Sequence, residues 1–258
     1  MSVAGDFYQF LGGEFIKIEH ALTDQLSVAD SFLVEDGCGR AIERHFQRFA
    51  LSIGERESSS EISSFLDSVK FAIPNHGAIF PRLEYREHQP AGERFFLRLR
   101  PAPERTTNVS LWASDESDPR ISPLIKGPDL SVCQRLRRAA NLRGADEAVI
   151  LDDNGYIADG ALSSILWWEN DTLVGPDQST KWLPSITREL AFELAQQAGF
   201  ATAQRRAKPE DLQGCEIWSL SALQGIRGVT SWADIKVLPG RFLTPFRKRL
   251  AMLSAPIR

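Results

Sequence analysis

The sequence predicts a mixed α+β and α/β fold in two lobes, and three observations predict it. Short apolar runs broken by glycine open the chain, and apolar residues at helical spacing follow them. A stretch rich in proline, serine and acid then separates this half from a second one in which helices and strands alternate. The first lobe is expected over 1–113, a linker over 114–123 and the second lobe over 124–258.

In the first lobe, 7–11, 14–18 and 31–34 read as strands, with Gly12-Gly13 as the turn of a hairpin between the first two. Ile42, Phe46, Phe49 and Ile53 place one apolar stripe on a helix over 41–54, and Ile62, Phe65 and Val69 do the same over 60–70. Residues 85–87, 93–100 and 107–112 return to strand. The linker is drawn by Asp115, Glu116 and Asp118 with two prolines and three serines between Ala113 and Pro123. In the second lobe the spacing predicts a helix over 130–142, a buried strand over 147–151, a turn at Asp153-Asn154-Gly155, and strands at 156–157 and 163–168. An amphipathic helix over 187–197, ending at Gly199, precedes strands at 216–220 and 228–231.

Composition narrows the function classes. With 258 residues, 43% hydrophobic and 25% charged, the chain has the make-up of a folded globular protein. A net charge of −4 with scattered Lys and Arg gives no attraction to nucleic acid or to an anionic membrane. No apolar run reaches a membrane span, and the N-terminal residues lack the layout of a signal peptide, so a cytoplasmic location is expected. Cys38, Cys133 and Cys215 are odd in number and far apart, and read as reduced thiols, the last two buried. His20, His45, His76 and His88 never meet at metal-ligand spacing, so no metal is expected and each histidine reads as structural or superficial.

Five fragments carry a resemblance. Arg44-His45-Phe46-Gln47-Arg48-Phe49, Ile125-Lys126-Gly127, the run Leu151 to Gly160 containing Asp159, Leu183-Pro184-Ser185-Ile186-Thr187-Arg188, and the run Ser221 to Val229 follow one another in an order that resembles the class IV aminotransferase family. The resemblance spans about Phe7 to Trp232. It implies the two-lobed fold type IV (D-amino acid aminotransferase-like), a pyridoxal 5′-phosphate cofactor between the lobes and a homodimer. Trp167, Trp168, Trp218 and Trp232 supply aromatic area that would suit an interface or, equally, a dense monomer core.

The chemistry of each fragment can be stated on its own. A lysine is needed to hold the cofactor's aldehyde and to move protons at the substrate, and Lys126 matches it. A buried carboxylate favours a protonated ring nitrogen, a role that falls to Asp159 where the family usually has Glu. Phosphate suits a helix N-terminus and an arginine, which implicates Ile186, Thr187 and Arg48, with Ala222 and Leu223 as a second phosphate loop. Ser185 stands where the family has Gly, a change that a negative φ would permit. Arg94, Arg98, Arg100 and Arg227 could each take a substrate carboxylate, and Ser31, Arg98 and Arg227 are carried forward as candidate substrate contacts. The Gly225-Ile226-Arg227 loop favours an aminodeoxychorismate lyase-like activity that releases pyruvate and 4-aminobenzoate. An aminotransferase of branched-chain or D-amino acids is the alternative. The departures Asp159, Ser185 and Ala222 would also fit a non-catalytic relative that binds a small molecule.

Overall fold

The computed structural model describes residues 5–19, 22, 24–233 and 235–258. In chain order its elements are β1 (Asp6–Leu11), β2 (Glu14–Lys17), β3 (Val28–Ser31), β4 (Val34–Glu35), β5 (Cys38–Arg40), α1 (Ile42–Ile53), α2 (Ser59–Ala72), β6 (Ala78–Ile79), β7 (Arg82–Tyr85) and β8 (Phe95–Leu99). They continue with β9 (Asn108–Ser117), α3 (Leu130–Leu142), β10 (Glu147–Leu151), β11 (Ile157–Gly160), β12 (Ser164–Glu169), β13 (Thr172–Pro176), α4 (Ile186–Gln197), β14 (Ala201–Arg205), β15 (Glu216–Ser221), β16 (Gly225–Trp232), α5 (Leu243–Ala251) and β17 (Ser254–Pro256).

Two units divide the chain. The first comprises Met1–Glu104, Ile125–Pro128 and Leu253–Arg258, and the second Arg105–Leu124 and Asp129–Met252. The boundary therefore falls earlier than residue 113, and the expected linker begins as strand: β9 runs to Ser117 because its polar end pairs in parallel with β10, Ala113 facing Val149 and Ser117 facing Leu151. Backbone pairing there overrides a composition that reads as loop.

The first unit holds an antiparallel sheet in the order β2-β1-β8-β7-β3. Gly12 and Gly13, at φ +56° and +93°, make the two-residue turn that joins β1 to β2, with Leu11 opposite Glu14. On one face of this sheet Leu83, Tyr85, Phe95 and Leu97 meet Phe46, Phe49 and Ile53 of α1 and Ile62, Phe65 and Val69 of α2 in a single core. Phe65 stacks on Phe95 at 4.9 Å. Ser58 caps α2: its hydroxyl accepts the N–H of Glu61 at 3.2 Å and donates to the Glu61 carboxylate at 2.7 Å. β3 starts at Val28 rather than at Ser31, and β7 at Arg82 rather than at Tyr85, because charged residues interrupt the apolar period: Asp30 on the α1 face of β3, and Arg82 and Glu84 on the opposite face of β7. A small sheet in the order β17-β5-β4-β6 completes the unit.

The second unit is built on a mixed sheet in the order β11-β10-β9-β16-β15-β12-β13-β14. Trp167, Trp232, Ile165 and Val149 centre one cluster, while Leu136 and Ala140 of α3 cover Ala148 and Ile150. All four tryptophans weighed for an interface, Trp167, Trp168, Trp218 and Trp232, are interior to this unit, so their aromatic area serves its core and is not open to a partner. Cys133 and Cys215, expected to be buried, are half-buried. His76 and His88 are exposed and His45 is buried, while His20 lies outside the described residues. Among the described residues no helix is long and apolar enough to cross a membrane, and no three His, Cys, Asp or Glu side chains group as a metal site.

Candidate active site

In the first unit, Lys126 is seated by its backbone. Its carbonyl accepts the N–H of Ala29 at 2.6 Å, which docks the Ile125–Pro128 segment along the free edge of β3. Gly127 makes this possible. It sits at φ +140°, and a Cβ there would come within 2.8 Å of the Ala29 nitrogen and 2.9 Å of the Val28 Cα. Replacing Gly127 with Ala should therefore cost about 1–3 kcal/mol through strain, with β3 or the lysine loop shifting to relieve the contact. A urea midpoint unchanged from the native protein would contradict this.

The next residue of β3, Asp30, is fully buried and gathers α1 onto the strand. Its Oδ1 lies 2.8 Å from His45 Nδ1, its Oδ2 accepts Arg48 Nε at 2.8 Å, and Arg48 Nη2 donates to Oδ1 at 2.9 Å. The backbone N–H of Ser31 adds a further bond to Oδ1 at 2.7 Å. Burial works to raise the Asp30 pKa, but the Arg48 guanidinium and His45 imidazole outweigh it and hold the carboxyl well below the usual carboxylate range. An ionised Asp30 only accepts, so His45 donates from Nδ1. Arg48 is thus aimed by a bidentate grip on its neighbour. On the opposite face of the same sheet, Ser31 and Arg98 fall in one cross-strand row, Ser31 beside Arg82 and Arg82 beside Arg98.

In the second unit, β11 carries Asp159 into the interior. Its Oδ2 accepts the N–H of Leu183 at 3.0 Å and lies 3.5 Å from Arg120 Nη1, and its Oδ1 accepts the N–H of Gly160 at 3.1 Å. Arg120 is itself fixed, donating to Asp118 through Nε at 2.9 Å and Nη2 at 2.8 Å and to the Lys181 carbonyl at 2.6 Å. Burial raises the Asp159 pKa, and Arg120 is the leading influence against that rise.

The Leu183 bond ties Asp159 to the segment that opens α4. Ser185 is the cap of that helix, at φ −93° and ψ 120°, and its hydroxyl accepts the N–H of Arg188 at 3.3 Å. Extended backbone there needs no glycine, so the serine fits and adds a cap. Ser185→Ala should lower stability by about 1 kcal/mol and Ser185→Gly by only a few tenths, a contrast that urea unfolding would resolve. Ile186 and Thr187 open the helix and are buried, with backbone N–H groups that no carbonyl of the same helix can satisfy. Arg188 donates to the Pro176 carbonyl at 2.6 Å and lies 3.7 Å from the Trp182 ring, and burial brings its pKa down to about 10.

Ala222 and Leu223 occupy the turn between β15 and β16, closed by Ser221 Oγ accepting the N–H of Gln224 at 3.1 Å. Arg227 is buried on β16, 3.2 Å from Ser219 Oγ and 3.8 Å from the Glu147 carboxylate, which matches its charge inside the unit. The structure thus groups Lys126, Asp30, Arg48 and Ser31 around β3, and Asp159 with the start of α4. Asp30, His45 and Arg120 were not singled out as site residues from the sequence. The Arg44 to Phe49 fragment contained His45 and the run Ala29-Asp30-Ser31 contained Asp30, but the Asp30–His45 pairing joins two elements and no spacing shows it.

The model of the class IV amino-transferase family matches residues 27–232, and the chain belongs to that family. Among curated proteins it is similar to the branched-chain-amino-acid aminotransferase of Escherichia coli, 30% identical over 112 residues that make up 43% of this chain and 36% of that protein. Alignments with the curated relatives span about a third of their length. Solved structures share the fold. They include a fold IV-transaminase from Curtobacterium pusillum, with a TM-score of 0.79 at 15% identity over 97% of each chain. A hypothetical aminotransferase from Mycobacterium tuberculosis, solved with PLP bound, has a TM-score of 0.81 at 19% identity over 96% of this chain and 98% of that one. A putative 4-amino-4-deoxychorismate lyase from Legionella pneumophila has a TM-score of 0.77 at 17% identity over 92% and 96%.

Proposed function

We propose that the chain is a pyridoxal 5′-phosphate enzyme acting at the amine-bearing carbon of an amino acid-like substrate, by lyase chemistry that releases pyruvate and 4-aminobenzoate. The observation that carries the enzyme class is the seating of Lys126, whose backbone is fixed on β3 beside the Asp30–Arg48 pair while family membership supplies the context. The residues present fit the cofactor. Asp159 is a buried acceptor suited to a ring N–H, and the start of α4 offers N–H groups to a phosphate at a negative φ.

When bound, the cofactor withdraws electrons from the substrate's reacting carbon. Lys126 would hold it covalently and carry the proton at that carbon. Asp159, paired with Arg120, would hold a proton on the ring nitrogen. Arg48, Ile186 and Thr187 would anchor the phosphate, with backbone groups of Ala222 and Leu223 as a further contact. The hydroxyl-free Ala222 and the Gly225-Ile226-Arg227 sequence favour the lyase reading. The name carried by the Escherichia coli relative favours a second one, transamination of branched-chain amino acids, with D-amino acids as its other form by the resemblance alone. A cytoplasmic homodimer serving folate synthesis belongs to the first reading, and light scattering would check the dimer.

Borohydride reduction of the protein with added pyridoxal phosphate, followed by peptide mapping, tests the class: label on Lys126 is expected, and label elsewhere or none would reject it. Pyruvate formed from aminodeoxychorismate without a keto acid would support the lyase. Strict dependence on a keto acceptor would replace it with the aminotransferase.

A further inference from the structure

The second unit keeps an ion pair where a core is ordinarily apolar. Strand alternation turns Glu147 of β10, Ser219 of β15 and Arg227 of β16 to the face that carries Val149, Ile217 and Val229, against the cluster of Trp167 and Trp232. All three are buried. Burial raises the Glu147 pKa, and Arg227 is the leading influence against that rise. The pair is loose at 3.8 Å, and the Nε of Arg227 is buried with no hydrogen-bond partner. Well-packed apolar residues of similar volume would make a core at least as stable, so stability alone does not account for these charges.

What the pair holds is the turn that follows Asp159. Glu147 Oε1 accepts the N–H of Leu162 at 3.2 Å, and the N–H of Ala161 donates to the carbonyl of Ala148, the next residue of β10, at 2.8 Å. The turn also closes on itself: the Gly160 N–H donates to the Ser163 carbonyl at 2.8 Å and is shared with Asp159 Oδ1 at 3.1 Å. There is no slack in it, since a Cβ on Gly160 would collide with the Ser163 hydroxyl and come within 2.7 Å of the Ser163 carbonyl oxygen. One donor thus answers both to the turn and to the Asp159 carboxylate, and a displaced turn would displace a ligand of that acid.

We propose that Glu147 and Arg227 are positioning residues for Asp159. Arg227 donates to Ser219 Oγ at 3.2 Å and is aimed by it at Glu147, and Glu147 fixes the 160–163 turn that sets where the Asp159 carboxylate lies. Arg227 therefore acts on the cofactor side of the reaction, through two other residues, and is not a substrate contact. The inference rests on the reading that Asp159 holds a cofactor ring nitrogen, and adds to it the residues that keep that acid in place.

The test is a pair of double variants of the full chain that differ in one group. Glu147→Leu with Arg227→Met removes both charges and the acceptor for the Leu162 N–H, whereas Glu147→Gln with Arg227→Met removes both charges and keeps an amide oxygen to accept it. Both should melt within about 5 °C of the native protein. In the first, the Gly160 and Leu162 amides should exchange with solvent about tenfold faster, and pyridoxal phosphate, followed by tryptophan fluorescence, should bind about tenfold more weakly. The second should recover both to within about threefold of native, and KM for aminodeoxychorismate should stay within about twofold in either. Native exchange and cofactor affinity in the first variant, or no difference between the two, would overturn the proposal. So would a raised KM with unchanged cofactor affinity, which would make Arg227 a substrate contact. Should the first variant fail to fold, Arg227→Lys takes its place: a single ammonium cannot span Ser219 and Glu147 as the guanidinium does, so cofactor affinity should fall about threefold with KM unchanged, and native affinity would overturn the proposal. Failure of the cofactor reading would show separately, as an unlabelled Lys126 and no cofactor binding by the native protein, while the exchange comparison, made without cofactor, still decides whether Glu147 holds the turn.

Discussion

Lys126→Ala should abolish the borohydride-fixed adduct and lower turnover by roughly a thousandfold or more, with the fold intact. The magnitude follows from losing both the covalent anchor and a positioned proton carrier, the latter alone contributing about 10²–10⁴. The fold should persist because the segment is held through the Lys126 carbonyl and the close approach of Gly127, and alanine keeps both. Melting temperature, reduced-peptide mapping and steady-state assay of one preparation distinguish the outcomes. Undiminished turnover would remove Lys126 from the mechanism, whereas a collapsed melting temperature would make it a structural residue.

Asp30→Asn should cost about 3–5 kcal/mol, because it leaves Arg48 and His45 beside a neutral amide inside the first unit. For a chain of this size that corresponds to a fall in melting temperature of roughly 10 °C. The pH dependence gives an independent check. The folded carboxyl is held far below the unfolded value of about 3.9, so its contribution is fully present above that value and is lost as pH falls toward the folded one. Native protein and variant should therefore differ by a constant amount from pH 5 to 8 and converge below pH 4. Urea unfolding at pH 7 and pH 3 measures the plateau and the onset of the loss. A gap of the same size at pH 3 would mean that the ion pairs do not account for the loss.

These two residues show where the sequence is readable and where it is not. The stripe Ile42, Phe46, Phe49 and Ile53 announces α1, and Gly12-Gly13 announces the hairpin, since both are local patterns that their neighbours enforce. Arg48 could be singled out from its fragment, but its partner Asp30 lies on another element, and no spacing rule connects them. Glu147 and Arg227 become informative only once the sheet turns them to one face. β14 and the end of β9 carry little apolar signal because backbone pairing to β13 and β10 makes them strands. α5 escaped for a related reason: it presents only Phe246 and Leu250 to the core, too short a stripe to announce a helix.

The placing of Lys126 against Ala29 has a consequence for how the chain comes together in time. The strand that receives the lysine is made about a hundred residues before it, and at roughly 5–20 residues per second that is a delay of about 5–20 s during synthesis. Through that interval the outer edge of β3 has donors with no lysine segment to take them, a template open to stray strand pairing. The strand edge that seats the reactive amine thus stands unpaired until the lysine segment has been made.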